Sequence, residues 1–178
     1  ITVSVEGKKA ECKVSIDYIH VSSITMDKTD ETLYIGENLS ITATLNPSNV
    51  TYNTVTWVSS DENVAMVDQN GRVSAIGKGV ATIFAKSDGK ESNCAITVLV
   101  PLSGLSFDQT SLSIFKGGTA SLTLIKTPSD ATLKGEPTWS STNMNVATVS
   151  GDGVITAINS GSATITATVD GYTATCSV

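Results

Sequence analysis

Histidine occurs once in these 178 residues, at His20, and that scarcity removes much of the catalytic repertoire. A serine or cysteine nucleophile needs an imidazole in its own site, and His-based zinc centres need several. Aromatic residues make up only 5% of the chain, too few for broad base- or sugar-stacking surfaces. Basic residues are also short, 11 against 17 acidic ones, and they are scattered; a net charge of -6 argues against a nucleic-acid partner. No apolar run approaches the roughly 20 residues that span a bilayer, so membrane insertion of this segment is not expected. Ile1 opens inside a strand pattern without the layout of a signal peptide, which places any export signal or anchor outside this segment. Apolar residues at helical spacing are missing over any three turns, and helix should be nearly absent.

What is present is Val, Ile, Thr and Ser, with 40% hydrophobic and 16% charged residues, the balance of a folded chain with a packed core. It is also repeated. Trp57 recurs as Trp139, Gly79 as Gly161 and Cys94 as Cys176, each pair 82 residues apart. Asn46-Pro47-Ser48-Asn49 matches Thr127-Pro128-Ser129-Asp130 at an offset of 81, so one residue is inserted in the loop before the tryptophan, where insertions are tolerated. Ile1 to Cys12 reproduces Ile83 to Cys94 and Ile165 to Cys176 with the same spacing of 11. Residues 1–16 therefore read as the closing hairpin of a preceding copy, followed by complete copies over 17–100 and 101–178. Two explanations of the opening hairpin stand: a boundary that falls in mid-domain, or self-assembly in which the N-terminal hairpin completes another subunit's domain.

Period-two alternation over Leu39–Leu45, Leu112–Ile114 and Ala120–Leu124 predicts half-buried antiparallel strands. Val64–Val67, Arg72–Ile76 and Val80–Ala85 read as three more, punctuated by Asn70-Gly71 and by Gly77-Lys78-Gly79. A last hairpin turns at Asp88-Gly89, at Asp170-Gly171 and at Glu6-Gly7. About seven or eight short strands in a unit of about 80 residues predict an all-β chain of tandem immunoglobulin-like β-sandwiches. Trp57 and Trp139 are expected in the core between the sheets.

These residues carry a resemblance to the bacterial immunoglobulin-like domain of group 2, the type found in intimin- and invasin-like adhesins, other bacterial surface proteins and phage structural proteins. Val21-Ser-Ser-Ile24-Thr-Met-Asp27, Leu33-Tyr-Ile35-Gly36-Glu37 and Leu45-Asn-Pro47-Ser-Asn49 resemble the family's opening and its Pro-containing loop. Trp57–Ser60, Val64–Val67 and Gly71–Gly79 followed by Ala81-Thr-Ile83 resemble its most distinctive block. In the second copy Phe115-Lys-Gly-Gly and Asn159-Ser depart from the pattern, so its turns should differ locally. The resemblance implies a spacer, stalk or adhesive module and supplies no catalytic residue, cofactor or shared ligand pocket.

The remaining chemistry is thin. His20 has no counterpart in the other complete copy and reads as a surface or linker residue. Cys12, Cys94 and Cys176 share one position in the final strand, one per copy, and read as small buried hydrophobes. Asp61, Glu62, Asp68 and Asn70 lie on loops around one strand and could offer oxygen ligands to calcium, but the second copy has Thr142, Asn143, Ser150 and Asp152 instead, so no metal site is assigned. The junctions 15–21 and 98–103 are short, apolar and strand-like, which predicts stiff joints.

The functional expectation is a non-catalytic structural or adhesive segment, extracellular, on a bacterial surface or a phage virion, with a protein or a cell-surface glycan as partner. The alternative is a carbohydrate-binding accessory module of a secreted enzyme, for which Tyr52, Tyr34 and Tyr172 are the candidate contacts.

Overall fold

The computed structural model describes residues 1–178 and is built of strands joined by turns, so no helix long and apolar enough to cross a membrane is present. The chain divides into two compact units, one of residues 1–31, 38–74 and 80–97, the other of residues 32–37, 75–79 and 98–178. The first copy contains β3 (Ser23–Met26), β4 (Asp30–Tyr34), β5 (Asn38–Ser40), β6 (Ala43–Asn46), β7 (Thr56–Ser59), β8 (Ala65–Val67), β9 (Arg72–Ala75), β10 (Gly79–Ser87) and β11 (Lys90–Leu99). They form a four-stranded sheet in the order β4-β11-β10-β7, faced by β5-β9-β8 and the pair β3-β6. The second copy contains β12 (Gly104–Phe107), β13 (Thr119–Ser121), β14 (Leu124–Thr127), β15 (Thr138–Ser141), β16 (Ala147–Val149), β17 (Val154–Ala157), β18 (Thr164–Val169) and β19 (Tyr172–Ser177). Its sheets, β15-β18-β19, β13-β17-β16 and β12-β14, repeat that plan. The all-β, immunoglobulin-like sandwich expected from the alternation is what the chain forms.

Two-residue periodicity decides which side chains face inward. On β10 and β11 the inward set is Ala81, Ile83 and Ala85 with Cys94, Ile96 and Val98, all essentially free of solvent. In the second copy Ile165 and Ala167 on β18 meet Cys176 and Ala174 on β19 and pack with Phe107, Leu122 and Ile155, while Val169 packs with Leu102 and Ala131. On β18 and β19 the alternating outward residues are Thr164, Thr166, Thr168, Thr173, Thr175 and Ser177.

The run Leu39–Leu45 keeps its alternation but is not one strand. β5 pairs with β9 and β6 pairs with β3, so the chain crosses from one pairing partner to another at Ile41-Thr42. The crossing is held by hydrogen bonds outside the ladders: Ile41 N–H donates to the Gly71 carbonyl, and Thr42 N–H to Asp27 Oδ1 at 2.8 Å. The second copy does the same with Leu122 N–H to the Gly153 carbonyl and Thr123 N–H to Asp108 Oδ1. Leu112–Ile114, expected as a strand, makes only a parallel bridge between Ser111 and Ser177. Its alternation still buries one face against the core, but the backbone finds a partner only at its start.

The expected divergence of turns in the second copy is limited: β18 begins at Thr164 where β10 begins at Gly79, and Asn159 binds the Asn145 carbonyl and Lys116, but the glycine conformations are kept. Gly36 and Gly117 both have positive φ, and Gly36 N–H donates to the Ala75 carbonyl as Gly117 N–H does to Ala157. Gly79 and Gly161 likewise adopt φ of 152° and 149°. The glycine that sets each turn is retained, and the residues that change around it are exposed or half-buried.

Trp57 is buried and Trp139 half-buried, the latter stacked on Phe107 with centroids 5.3 Å apart. Each indole lies against a glycine in the turn before β9 or β17. A methyl group on Gly71 would sit 2.8 Å from Trp57 Cζ2 and press on the Ile41 carbonyl; on Gly153 it would sit 2.7 Å from Trp139 Cη2. Both glycines have φ of +79°, where only glycine is unstrained. Asn-Gly is thus a turn signal and also a seat for the ring.

The opening residues form β1 (Thr2–Val5) and β2 (Lys8–Glu11), a two-stranded sheet with no further strand on either edge. The hairpin expected at the N-terminus is present.

Thermal or denaturant unfolding of glycine variants checks the ring seat. Gly89→Ala meets open space and costs only the left-handed backbone, about 1 kcal/mol. Gly71→Ala adds overpacking against Trp57 and should cost roughly 2–4 kcal/mol; equal costs for the two variants would contradict the ring contact.

Candidate functional site

The loop acids of the first copy are occupied by the backbone. Asp61 Oδ1 accepts the Asn63 N–H at 2.9 Å while the Asp61 carbonyl accepts from Val64 and Ala65. Asp68 Oδ1 accepts two N–H groups, from Asn70 at 2.8 Å and Arg72 at 2.9 Å. These bonds hold the Asp68 carboxyl below the ordinary aspartate range, with the Arg72 amide the largest contributor. Glu62 and Asn70 are exposed.

Neutral residues do the same work in the second copy. Asn143 Oδ1 accepts from Asn145 at 3.1 Å, and Ser150 Oγ accepts from Val154 at 3.1 Å. Thr142 Oγ1 accepts the Thr164 N–H just as Ser60 Oγ accepts that of Thr82, both at 2.8 Å. These positions need an acceptor that closes a turn; negative charge is incidental.

His20 is not a bystander. Its Nδ1 lies 2.8 Å from Asp88 Oδ2, and the same oxygen accepts the Val21 N–H at 2.9 Å. Asp88 has φ of 47° in the hairpin turn between β10 and β11, so the turn tip is tied to the start of its own copy. The His20 contact and then the Val21 amide hold the Asp88 carboxyl below the ordinary aspartate range. In the second copy the equivalent Asp170 accepts the Lys134 N–H at 2.9 Å instead. The tie recurs with a different donor, which explains why the histidine itself does not repeat.

The three tyrosines singled out in the sequence are not brought together as one site. Tyr34 closes β4, half-buried, its N–H donating to Glu37 Oε2 at 2.8 Å. Tyr172 opens β19 beside the hairpin turn. Tyr52 is 65% exposed in the loop before β7 and stacks on Tyr18, with centroids 5.7 Å apart and planes inclined by 22°. The loop is anchored beneath the pair: Thr51 N–H donates to the Ile19 carbonyl, and Ile19 N–H to Thr51 Oγ1. Two exposed, parallel rings on an anchored loop form the one aromatic platform that includes a sequence candidate.

Sequence reasoning missed Tyr18, because it lies 34 positions from Tyr52 and in a different segment. It also missed Phe115, 94% exposed at the edge of a groove of about 350 Å³ lined by Leu112, Ile114, Val146, Gly161 and Val178. The available signal for Phe115 was an apolar ring beside a Gly-Gly turn, where solvent exposure is the rule.

Cys94 and Cys176 are fully buried, and burial pushes both thiols up. Cys12, at the same repeat position, is exposed. The expectation of a buried small hydrophobe therefore holds for two of the three cysteines and fails for Cys12, because β1-β2 has no sandwich beneath it.

Comparison with known proteins follows the same division into copies. Residues 20–98 and 102–178 each match the model of the family described as bacterial Ig-like domain (group 2). A Serratia phage KSP90 protein named Ig-like virion protein is 31% identical over 150 residues, covering 80% of this chain and 58% of the relative. A Bifidobacterium longum subsp. longum protein named 3-O-alpha-D-galactosyl-alpha-L-arabinofuranosidase is 39% identical over 87 residues, which is 49% of this chain and 6% of the relative. The chain thus spans less than two thirds of either relative. Among solved structures, the S-layer protein rSbsC aligns with 91% of this chain and 28% of its own length, at 23% identity and a TM-score of 0.41.

Two outcomes check this account of the loops. A carboxylate whose folded pKa lies below its unfolded one stabilises the fold above the unfolded value and loses that contribution as pH falls through the folded value. Asp68 and Asp88 therefore predict a thermal midpoint that declines from about pH 4 downward. Asp68→Ser, which copies Ser150, should leave the midpoint near pH 7 close to that of the parent and make the acid decline shallower; collapse at pH 7 would show that the charge itself is required.

Proposed function

Because this chain belongs to the bacterial Ig-like domain (group 2) family, we propose that it is a non-catalytic structural and adhesive segment, a stalk or binding module of a larger extracellular protein on a bacterial surface or a virion. The observation that carries this reading is what the two copies share. Core residues, the glycine seats of the tryptophans and the turn-closing acceptors recur, whereas His20, the Asp61–Asp68 acids and the Tyr18-Tyr52 pair do not. A repeated unit that keeps its packing and varies its surface is suited to bearing load and to presenting different loops to a protein or glycan partner. A phage relative named Ig-like virion protein is in keeping with this.

A second reading has its own support. The relative named as an arabinofuranosidase and the exposed Tyr18-Tyr52 platform favour a carbohydrate-binding accessory role in a secreted enzyme. Two flat rings on an anchored loop can stack on the apolar faces of sugar residues.

Force spectroscopy and glycan binding separate the readings. Pulling on the chain should give two unfolding events, each releasing about 280 Å for roughly 80 residues at full extension; extension without resolved barriers would sink the load-bearing role. Saturable binding to a glycan array that Tyr52→Ala and Tyr18→Ala each abolish would replace the pure-spacer reading with the accessory one.

A further inference from the structure

Beside the buried tryptophan of the first copy lies a groove of about 310 Å³. Its apolar lining, Ala43, Val55 and Trp57, is buried or half-buried, and above it stand three exposed carboxamides, Asn53, Gln69 and Asn70. No charged side chain lines it. Asn53 directly follows Tyr52, so the groove opens next to the residue that carries the outer ring of the Tyr18-Tyr52 pair.

Gln69 is held in one orientation. Its Oε1 accepts the Trp57 N–H at 3.3 Å, and its Nε2 donates to the Trp57 carbonyl at 3.2 Å. One N–H and one lone pair of the amide are left for a ligand, in directions those two bonds fix. The same bonds decide what kind of ligand suits the groove. Trp57 lies on β7, the end strand of its sheet, and such an edge ordinarily offers N–H and C=O groups to an incoming extended peptide. Here Gln69 already takes both groups of Trp57, and strand addition would have to break them. What remains for recognition is side-chain amides over an apolar floor. A carboxamide presents a donor and an acceptor side by side, as do neighbouring hydroxyl groups on a sugar ring, and the C–H face of that ring matches the floor.

The second copy does without this set. Displaced by 82 residues, Gly151 stands for Gln69 and Asp152 for Asn70, and Trp139 is half-buried where Trp57 is buried. The sandwich therefore forms without the amides, and their presence in the first copy is not a packing requirement.

We propose that the Trp57 groove is a binding site for an uncharged oligosaccharide, in which Asn53, Gln69 and Asn70 bind hydroxyl groups while the Tyr18-Tyr52 pair stacks on a neighbouring sugar residue. The inference rests on the glycan-binding reading of that pair and adds the class of the ligand and the residues that select it.

Affinity electrophoresis of the full chain in native gels tests it, with galactomannan, arabinan and β-glucan as uncharged polymers and polygalacturonate as the charged one. At least one uncharged polymer should retard the chain. Polygalacturonate should not, because the groove has no cation to meet a carboxylate and the chain carries a net charge of -6. Asn53→Ala and Gln69→Gly should each weaken retention about 3- to 10-fold, the worth of one hydrogen bond. Asp152→Asn, in the second copy, should leave relative retention unchanged. Gln69→Gly installs the residue that the second copy tolerates, and Asn53→Ala alters an exposed loop position, so one variant reports on the groove even where the other loses stability. Retention abolished by Tyr52→Ala but unchanged by Asn53→Ala and Gln69→Gly overturns the groove and leaves the glycan-binding reading standing. Retention by none of the uncharged polymers overturns both. Stronger retention by polygalacturonate overturns the uncharged class, and release of the bound polymer by an uncharged extended peptide of alternating Thr and Val overturns the proposal by assigning the groove to a polypeptide.

Discussion

Burial of the last hairpin is the interaction on which each unit depends. In the first copy β10 and β11 are the two inner strands of the four-stranded sheet, and β4 and β7 have no other partner in it. Ile83, Ala85, Cys94 and Ile96 fill the centre of the core, and an isoleucine buried there is worth about 1.5–3 kcal/mol of transfer free energy. The hairpin supplies backbone partners to its neighbours and apolar area to the facing sheet at once. Without it neither sheet has a reason to stay closed.

The rest of the sandwich is arranged to keep that packing in register. Gly71 and Gly153 bring the backbone against an indole ring where no other residue fits, which fixes the height of the tryptophan relative to β9 and β17. The segment that passes between sheets at Ile41 and Leu122 is held by an aspartate just after the first strand of its copy, Asp27 or Asp108. The hairpin tip is tied back by Asp88 or Asp170. Each device closes a backbone hydrogen bond that a short strand would otherwise leave open.

Variation between the copies is confined to what these constraints do not touch. Asp61 and Asp68 give way to Asn143 and Ser150 because a turn needs an acceptor and not a charge. His20 gives way to a backbone donor because Asp88 needs only something to hold. Loop positions such as Tyr52 and Phe115 are therefore free to serve a partner, and a family built this way can change what it presents without changing what it is.

The fold class, the repeat, the turn positions and the inward face of most strands can be read along the chain, because two-residue alternation and glycine in left-handed turns are local properties. The likeness of the opening hairpin to the two later ones was legible in the same way, since Ile1 to Cys12 copies both segments. The folded chain was needed to show that Leu39–Leu45 changes sheets, that the stretch at Leu112–Ile114 has only the bridge at Ser111, and that Cys12 lies in solvent while its equivalents are buried. Those facts depend on which strands are near enough to pair. The candidate site divided in the same way: Tyr52 was legible as an exposed ring in a loop, but its stacking on Tyr18 was not, because two residues 34 apart meet only once the backbone at Ile19 and Thr51 has joined.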